Sequence, residues 1–394
     1  MLLQWVKSIW YWITWPVKRL FVAWSHKRVE EFSLQPVRLP AKIISVGNIT
    51  FGGTGKTPTV VWLAKKIRQL DPKLKLGIHL RGYMGEMEQC GGLVFDGVRF
   101  FAGPKEAGDE AYLTSTKLKD LRIPVWVGKH KAVEGAKFIS RFGLDLVIFD
   151  DAYQFTSLAR DLDILLIDAT RPFGEAGFPR EGVLRERLTA LERADLVFIT
   201  RTNLVSGGDL RGIIDKISNH LRPGTNIFLS TFEPASVHAV KSDTKANMEL
   251  LPTRKAMPLS AIGNPRAFER TLEELDLNTV KPIRYPDHHQ FTKSDIQYIN
   301  RQLIERGAHL IVTTEKDTVR LGKLVNSIEA PVYCLEIKQT IKGEEELLRY
   351  INRKLLRSSV TAEQKIKPSR KPADKPVFSV RNDYERIAAD AENS

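Results

Sequence analysis

The chain has 394 residues, 42% of them hydrophobic, which is enough for two domains of ordinary size. Its two cysteines, Cys90 and Cys334, lie far apart with no CxxC partner, which argues against a disulfide framework or a zinc site and fits a reducing cytosol. The net charge of +13 is concentrated at the ends, with +5 in residues 1–42 and +6 in residues 353–376; no basic stripe interleaved with aromatics crosses the body, so nucleic acid is not an expected partner.

The chain opens on an unusual segment. Five of the seven tryptophans, Trp5, Trp10, Trp12, Trp15 and Trp24, fall in the first 24 residues, punctuated by Lys7, Lys18, Arg19, Lys27 and Arg28. The longest uncharged run, residues 8–17, is ten residues, against about 20 for a spanning helix. Tryptophan prefers the headgroup level and Lys/Arg prefer anionic lipid. The segment 1–28 is therefore expected to lie on the membrane as an interfacial helix. Burial of that helix against the protein's own core, or a single tilted span, are the other arrangements the pattern allows.

An α/β pattern follows. Residues 43–46 form a short apolar strand that runs into a Gly-rich loop, and residues 59–70 read as a helix with Val60, Leu63, Ala64 and Ile67 at helical spacing. Further strands are expected at 75–80, 144–149, 163–167 and 196–200. Such runs, separated by helical stretches, predict a parallel sheet covered on both faces, of the P-loop NTPase type. A second, smaller α/β lobe is expected from residue 205, with strands at 227–232, 256–262, 309–313 and 332–337 and helices at 265–275 and 293–306. The expected organisation is thus a membrane-associating helix (1–28), a P-loop core (29–204), a second lobe (205–357) and a Ser-, Lys- and Pro-rich tail (358–394) that reads as disordered.

The chemistry centres on Thr50-Phe51-Gly52-Gly53-Thr54-Gly55-Lys56-Thr57, placed between a strand and a helix as a phosphate loop requires. Glycines let backbone N–H groups turn toward phosphates, and the helix N-terminus adds partial positive charge. Lys56 is expected to reach the β- and γ-phosphates of a nucleotide and the Thr57 hydroxyl to ligate Mg²⁺. Thr50 stands where the common pattern begins with Gly. Asp150-Asp151 closes an apolar strand, at the sheet edge where α/β ligands bind, and a carboxylate there can hold Mg²⁺. Three further pairs are candidates: Asp109-Glu110 for a base, Arg185-Glu186 for phosphate and metal, and Asp287-His288-His289 for an imidazole beside a carboxylate.

These segments, taken in order, resemble the tetraacyldisaccharide 4′-kinases, the membrane-associated enzymes of lipid A assembly. The resemblance runs from Ser45-Val46-Gly47-Asn48 through the phosphate loop and Pro58. It continues with Arg81-Gly82-Tyr83, Gly108-Asp109-Glu110, Val127-Gly128, Asp150-Asp151-Ala152-Tyr153-Gln154 and Leu184-Arg185-Glu186. It closes with Ile262-Gly263-Asn264-Pro265, Tyr285-Pro286-Asp287-His288-His289 and Thr313-Thr314-Glu315-Lys316-Asp317. It implies transfer of the ATP γ-phosphoryl group to the 4′-hydroxyl of the lipid A disaccharide precursor, at the cytoplasmic face of a bacterial inner membrane. It further implies Asp109 as base with His288 as its partner, and Mg²⁺ contacts from Thr57, Asp150 or Asp151, and Glu186. Lys56 and Arg185 would neutralise the transferring group, Gln154 would sit beside the phosphates, and Arg81, Tyr83 and Asn264 would line the acceptor cleft. Two positions depart from the family pattern: Phe155 stands where the family usually has His, and His130 and Lys131 stand where it usually has Arg. The alternatives are a membrane-associated P-loop ATPase and a non-catalytic nucleotide-binding paralogue.

Overall fold

The computed structural model describes residues 36–173, 184–242, 244–245 and 253–356. The expected membrane helix at 1–28 and the expected tail at 358–394 lie outside the described residues. Among the described residues no helix is long and apolar enough to cross a membrane.

One sheet organises the chain. Its strands are β1 (Lys42–Asn48), β2 (Leu76–Leu80), β3 (Gly92–Phe95), β4 (Val125–Val127), β5 (Leu146–Asp150), β6 (Leu162–Asp168), β7 (Leu196–Thr200), β8 (Asn226–Ala239), β9 (Thr244–Lys245), β10 (Ala256–Ser260), β11 (Ile283–Arg284), β12 (Leu310–Thr314) and β13 (Val332–Ile341). The spatial order is β11-β10-β12-β13-β8-β7-β6-β1-β5-β2-β4-β3, with β9 paired to β8. β1 runs parallel between β5 and β6, with Val46 opposite Asp150. The phosphate loop therefore leaves the sheet next to the strand that ends on Asp150, a topological switch point where such sheets bind ligands.

The sheet is mixed rather than all-parallel. β3 pairs antiparallel with β4 at one edge. β8 starts parallel to β7 and continues antiparallel to β13. Through this long strand, the strands after residue 205 join the same sheet as the strands before it. Pro234, which cannot donate to the ladder, sits opposite Ile337 at a shift in the β8–β13 register.

Helices cover the sheet: α1 (Lys56–Leu70), α2 (Pro104–Ala107), α3 (Asp109–Leu118), α4 (Lys131–Phe142), α5 (Gly207–Ser218), α6 (Pro265–Glu273), α7 (Lys293–Arg306), α8 (Glu315–Leu321) and α9 (Glu344–Ile351). α1 places Val60, Leu63, Ala64 and Ile67 at helical spacing against Ile44, Val46, Leu146 and Ile148 of the central strands. This burial fixes the axis of α1, and so the direction in which its N-terminus points.

Candidate active site

α1 begins at Lys56, and Gly55 precedes it at φ 90°. A Cβ on Gly55 would stand 2.4 Å from the Phe232 ring, so both backbone and space require glycine. Gly52 has φ 104°. The loop is held from below: Arg201 donates to the Gly53 carbonyl at 3.0 Å and to Asp168 at 2.5 Å, and Thr200 donates to the Thr54 carbonyl at 3.0 Å. Lys56 Nζ donates to Asn48 Oδ1 at 3.2 Å and lies 3.4 Å from Asp151 Oδ1.

The loop opens into a cavity of about 1540 Å³. On its wall lie Gly52 to Thr57, together with Phe51, Asp150, Asp151, Gln154 and Arg185. Thr50 is buried behind the wall, and its carbonyl accepts from Asn48 Nδ2 at 2.8 Å. Arg185 donates to Asp151 Oδ1 at 2.7 Å and stacks over Phe51 at 5.4 Å.

The paired aspartates have opposite characters. Burial alone would raise the Asp151 pKa, but Arg185, Lys56 and Lys131 outweigh it and hold the carboxyl well below its usual range. Asp150 is pushed up to about 7, first by burial and then by the charge of Glu110, against the pull of Lys56. Its Oδ1 has no hydrogen-bond partner among the described residues. A buried carboxylate oxygen in an acidic neighbourhood is costly unless a cation meets it.

The two departures from the family pattern lie against each other. Lys131 Nζ sits over the Phe155 ring at 5.2 Å and donates to the Asp150 carbonyl at 2.7 Å. Burial pushes its pKa down to about 8, although Asp151 and Asp150 pull it up. An ammonium against an aromatic face accounts for a buried lysine beside Phe155. His130 is exposed at the rim.

Across the same cavity stand Tyr83 and His288, rings edge to face at 4.9 Å, with Glu110 and Lys316. His288 Nδ1 lies 3.5 Å from Asp109 Oδ2. The structure thus brings together Asp109 and His288, which the sequence separates widely, but only His288 is on the cavity wall. Asp109 opens α3 behind it. Burial favours its neutral form, but the His288 hydrogen bond and the charges of Arg320 and Lys316 prevail and hold it well below the usual carboxylate range. His289 faces away and bonds Asp295 at 3.0 Å.

The remaining candidates are placed less directly. Glu186 is buried, its carboxylate held by Arg193 at 2.8 Å and by Gln154 at 3.1 Å, and it does not line the cavity. Gln154 also donates to the Asn48 carbonyl at 2.7 Å. Arg81 lines the cavity beside Tyr83 and pairs with Glu88 at 2.7 Å. Asn264 lines it too, but its side chain caps α6 and donates to Asp168 and Thr170. Sequence reasoning missed Arg201, Phe232 and Arg320. Only the last had a local signal, a cation three residues after Asp317 on a short helix.

A strand–glycine loop–helix unit at a sheet switch point, with a lysine among carboxylates and a histidine on the same cavity wall backed by an aspartate, is the arrangement of a P-loop nucleotide-binding protein equipped for group transfer. Known proteins agree. The family model of the tetraacyldisaccharide-1-P 4′-kinases matches residues 10–356. A tetraacyldisaccharide 4′-kinase of Syntrophus aciditrophicus (strain SB) is 35% identical over 315 residues, covering 78% of this chain and 83% of that protein. Another, of Halothermothrix orenii, is 32% identical over 334 residues, with 81% and 85% covered. In fold, the chain is similar to the crystal structure of an "apo" form of LpxK from Aquifex aeolicus in complex with ATP, with TM-score 0.62 over 87% of this chain and 98% of that one, at 24% identity. The chain belongs to the tetraacyldisaccharide-1-P 4′-kinase family, whose members are kinases of lipid A biosynthesis.

Proposed function

We propose that this chain transfers the γ-phosphoryl group of ATP to the 4′-hydroxyl of tetraacyldisaccharide 1-phosphate, working at the cytoplasmic face of the bacterial inner membrane with residues 1–28 as its attachment. The observation that carries the reading is that Lys56 of the phosphate loop and His288 of the Asp109 pair open into one cavity. A phosphoryl donor and a base-activated hydroxyl can therefore meet there.

In this reading Gly52 to Thr57 hold the β- and γ-phosphates through backbone N–H groups. Lys56 and Arg185 exchange contacts with Asp151 for the transferring group, where charge builds in the transition state. The resemblance implied Asp109 as the base, but Asp109 lies behind the cavity wall that His288 lines; in this reading His288 accepts the proton of the acceptor hydroxyl, and the fixed negative charge of Asp109 favours that acceptance. Tyr83 and Arg81 form the wall beside the acceptor. Asn264 works at a distance, by holding Asp168 and with it the Arg201 support of Gly53.

The residues fit a magnesium ion at one place. Asp150 Oδ1 is buried and unpartnered, and Thr57 shares its cavity. No group of three or more His, Cys, Asp or Glu side chains is arranged for a metal among the described residues. Mg²⁺ commonly takes one or two protein oxygens and completes its shell with phosphate and water. It would be held by Asp150 and Thr57, and it would supply neutralisation of phosphate charge. Glu186, held by Arg193, acts on the site through Gln154.

Incubation with ATP, Mg²⁺ and the purified disaccharide precursor tests the reading. Phosphate on the sugar supports it. Free phosphate alone points to an ATPase, and bound but unreacted ATP to a non-catalytic module.

A further inference from the structure

Arg320 lies on α8, outside every motif discussed above, and its side chain is only 1% exposed. A guanidinium removed from water at this depth is costly unless its donors are met. Here they are met by groups from separate elements. Nε donates to Asp109 Oδ2 at 2.5 Å, and Nη2 also contacts that oxygen. Nη1 donates to the Ala261 carbonyl and to Asp317 Oδ1 at 3.1 Å. Nη2 stands 3.4 Å from His288 Nδ1.

The partners are themselves tied together. Asp317 Oδ1 also accepts from the Ala261 backbone N–H at 3.2 Å, and Asp317 Oδ2 accepts from Thr314 at 2.7 Å. The His288 N–H donates to the Ala261 carbonyl at 3.3 Å and to Asp287 Oδ1 at 3.0 Å. His288 has φ 61°, a left-handed conformation that a non-glycine residue keeps only where its surroundings hold it. Asp109 completes the circuit: its Oδ1 accepts from the Glu110 N–H at 2.9 Å, while Oδ2 meets both Arg320 and His288.

We propose that Arg320 is a positioning residue for phosphoryl transfer, its planar fork joining α8, the end of β10 and the start of α3 so that Asp109 and His288 stand as one unit at the cavity wall. The inference rests on the proposed roles of Asp109 and His288. A fork is needed because the acceptors lie in different directions; a lysine is a point charge and meets fewer of them. Arg320 itself is absent from the cavity wall, so its effect passes through Asp109 and His288.

The test uses the full-length chain in detergent with Arg320→Met and Arg320→Lys, each alone and combined with Asp109→Asn. A fluorescent ATP analogue counts functional nucleotide sites, and steady-state kinetics separate kcat from KM. Loss of a group that orients a reacting one costs about 10–100-fold. Arg320→Met is expected to lower kcat by about that factor with KM for ATP and the count of nucleotide sites unchanged, and Arg320→Lys to recover only part of the loss. In the Asp109→Asn background the Arg320 substitutions should cost less than they do alone, since the part of their effect that passes through Asp109 is already lost. A wild-type kcat in Arg320→Met overturns the inference, and so does a loss that multiplies with Asp109→Asn. Should Arg320→Met lose nucleotide sites, Arg320→Lys carries the same comparison; loss of sites in both, in step with kcat, assigns Arg320 to the fold alone. Unchanged kcat in Asp109→Asn and His288→Ala is a different result, which removes the pair itself from catalysis.

Discussion

Replacing Gly55 by alanine tests whether the phosphate loop is built as described. Two separate costs follow from the structure. At φ 90° an L-residue is strained, by about 1–2 kcal/mol. The new methyl would stand 2.4 Å and 2.6 Å from two carbons of the Phe232 ring. That ring is buried and has Arg201 over it at 5.2 Å, so it cannot swing aside freely. Overpacking of this kind costs about 1–3 kcal/mol. Together the penalties reach roughly 2–5 kcal/mol, and at about 1.4 kcal/mol per tenfold this is a loss of about 30-fold to several thousandfold in ATP affinity. Where the substituted loop gives way to relieve the strain, ATP must restore this conformation, and the penalty falls on binding. Calorimetric titration of ATP into Gly55→Ala measures it. The double variant Gly55→Ala/Phe232→Leu should regain the packing part and keep the backbone part. Wild-type affinity in Gly55→Ala, or no recovery in the double variant, would refute the reasoning.

Three other outcomes are expected. Lys56→Met should abolish transfer to the lipid acceptor, because it removes the phosphate-loop ammonium held between Asn48 and Asp151; near-normal turnover in a radiolabel assay would remove Lys56 from the chemistry. Lys131→Met keeps the buried stem but removes the donor to the Asp150 carbonyl, which should lower stability by about 1–3 kcal/mol in urea unfolding. It should also raise the Mg²⁺ concentration needed for half-maximal rate, and unchanged values of both would show the Lys131–Phe155 contact to be idle. The last concerns pH. Asp150 is pushed up to about 7 by burial and by Glu110, so between about pH 4 and 7 the folded chain holds a proton that the unfolded chain has released. Its contribution to stability is present below that window and is lost as pH rises through it. With Asp150 holding Mg²⁺ as proposed, MgATP binds the ionised form, so the rise in melting temperature on adding MgATP should be larger at pH 8 than at pH 6, and Asp150→Asn should remove the difference. An equal rise at both pH values in the unaltered chain would count against Asp150 as the metal-facing group.

Much of this was legible in the sequence because the signals are local. The phosphate loop needs a strand, glycines and a helix in immediate succession, and β1, Gly52 to Gly55 and α1 supply them. β7 and α7 fall where their apolar spacing placed them. β3 and β4 give no sequence signal, since four and three residues carry too little periodicity. The sequence shows only the first part of β8, because Glu233-Pro234 interrupts its pattern; the neighbouring strand absorbs the proline with a register shift, which no single-strand pattern shows. Within the site, pairings between distant elements were the hidden part. Phe155 and Lys131 each looked like an isolated departure, and only the fold shows a cation seated on a ring. Arg320 belongs to no motif. Its importance comes from Asp109 and Ala261, which the sheet brings to it from elsewhere in the chain. Glu186 shows the converse, a motif residue whose carboxylate is turned to Arg193 behind the cavity wall.

In the proposed reaction this cavity moves phosphate from a nucleotide to a lipid-linked sugar. The most direct measurement is mass-spectrometric product analysis after the full chain is incubated with γ-labelled ATP, Mg²⁺ and tetraacyldisaccharide 1-phosphate. Label is expected on the 4′-oxygen of the disaccharide, formed by the unaltered chain and not by Lys56→Met. Label found only as free phosphate, or an unmodified lipid beside bound ATP, would contradict it.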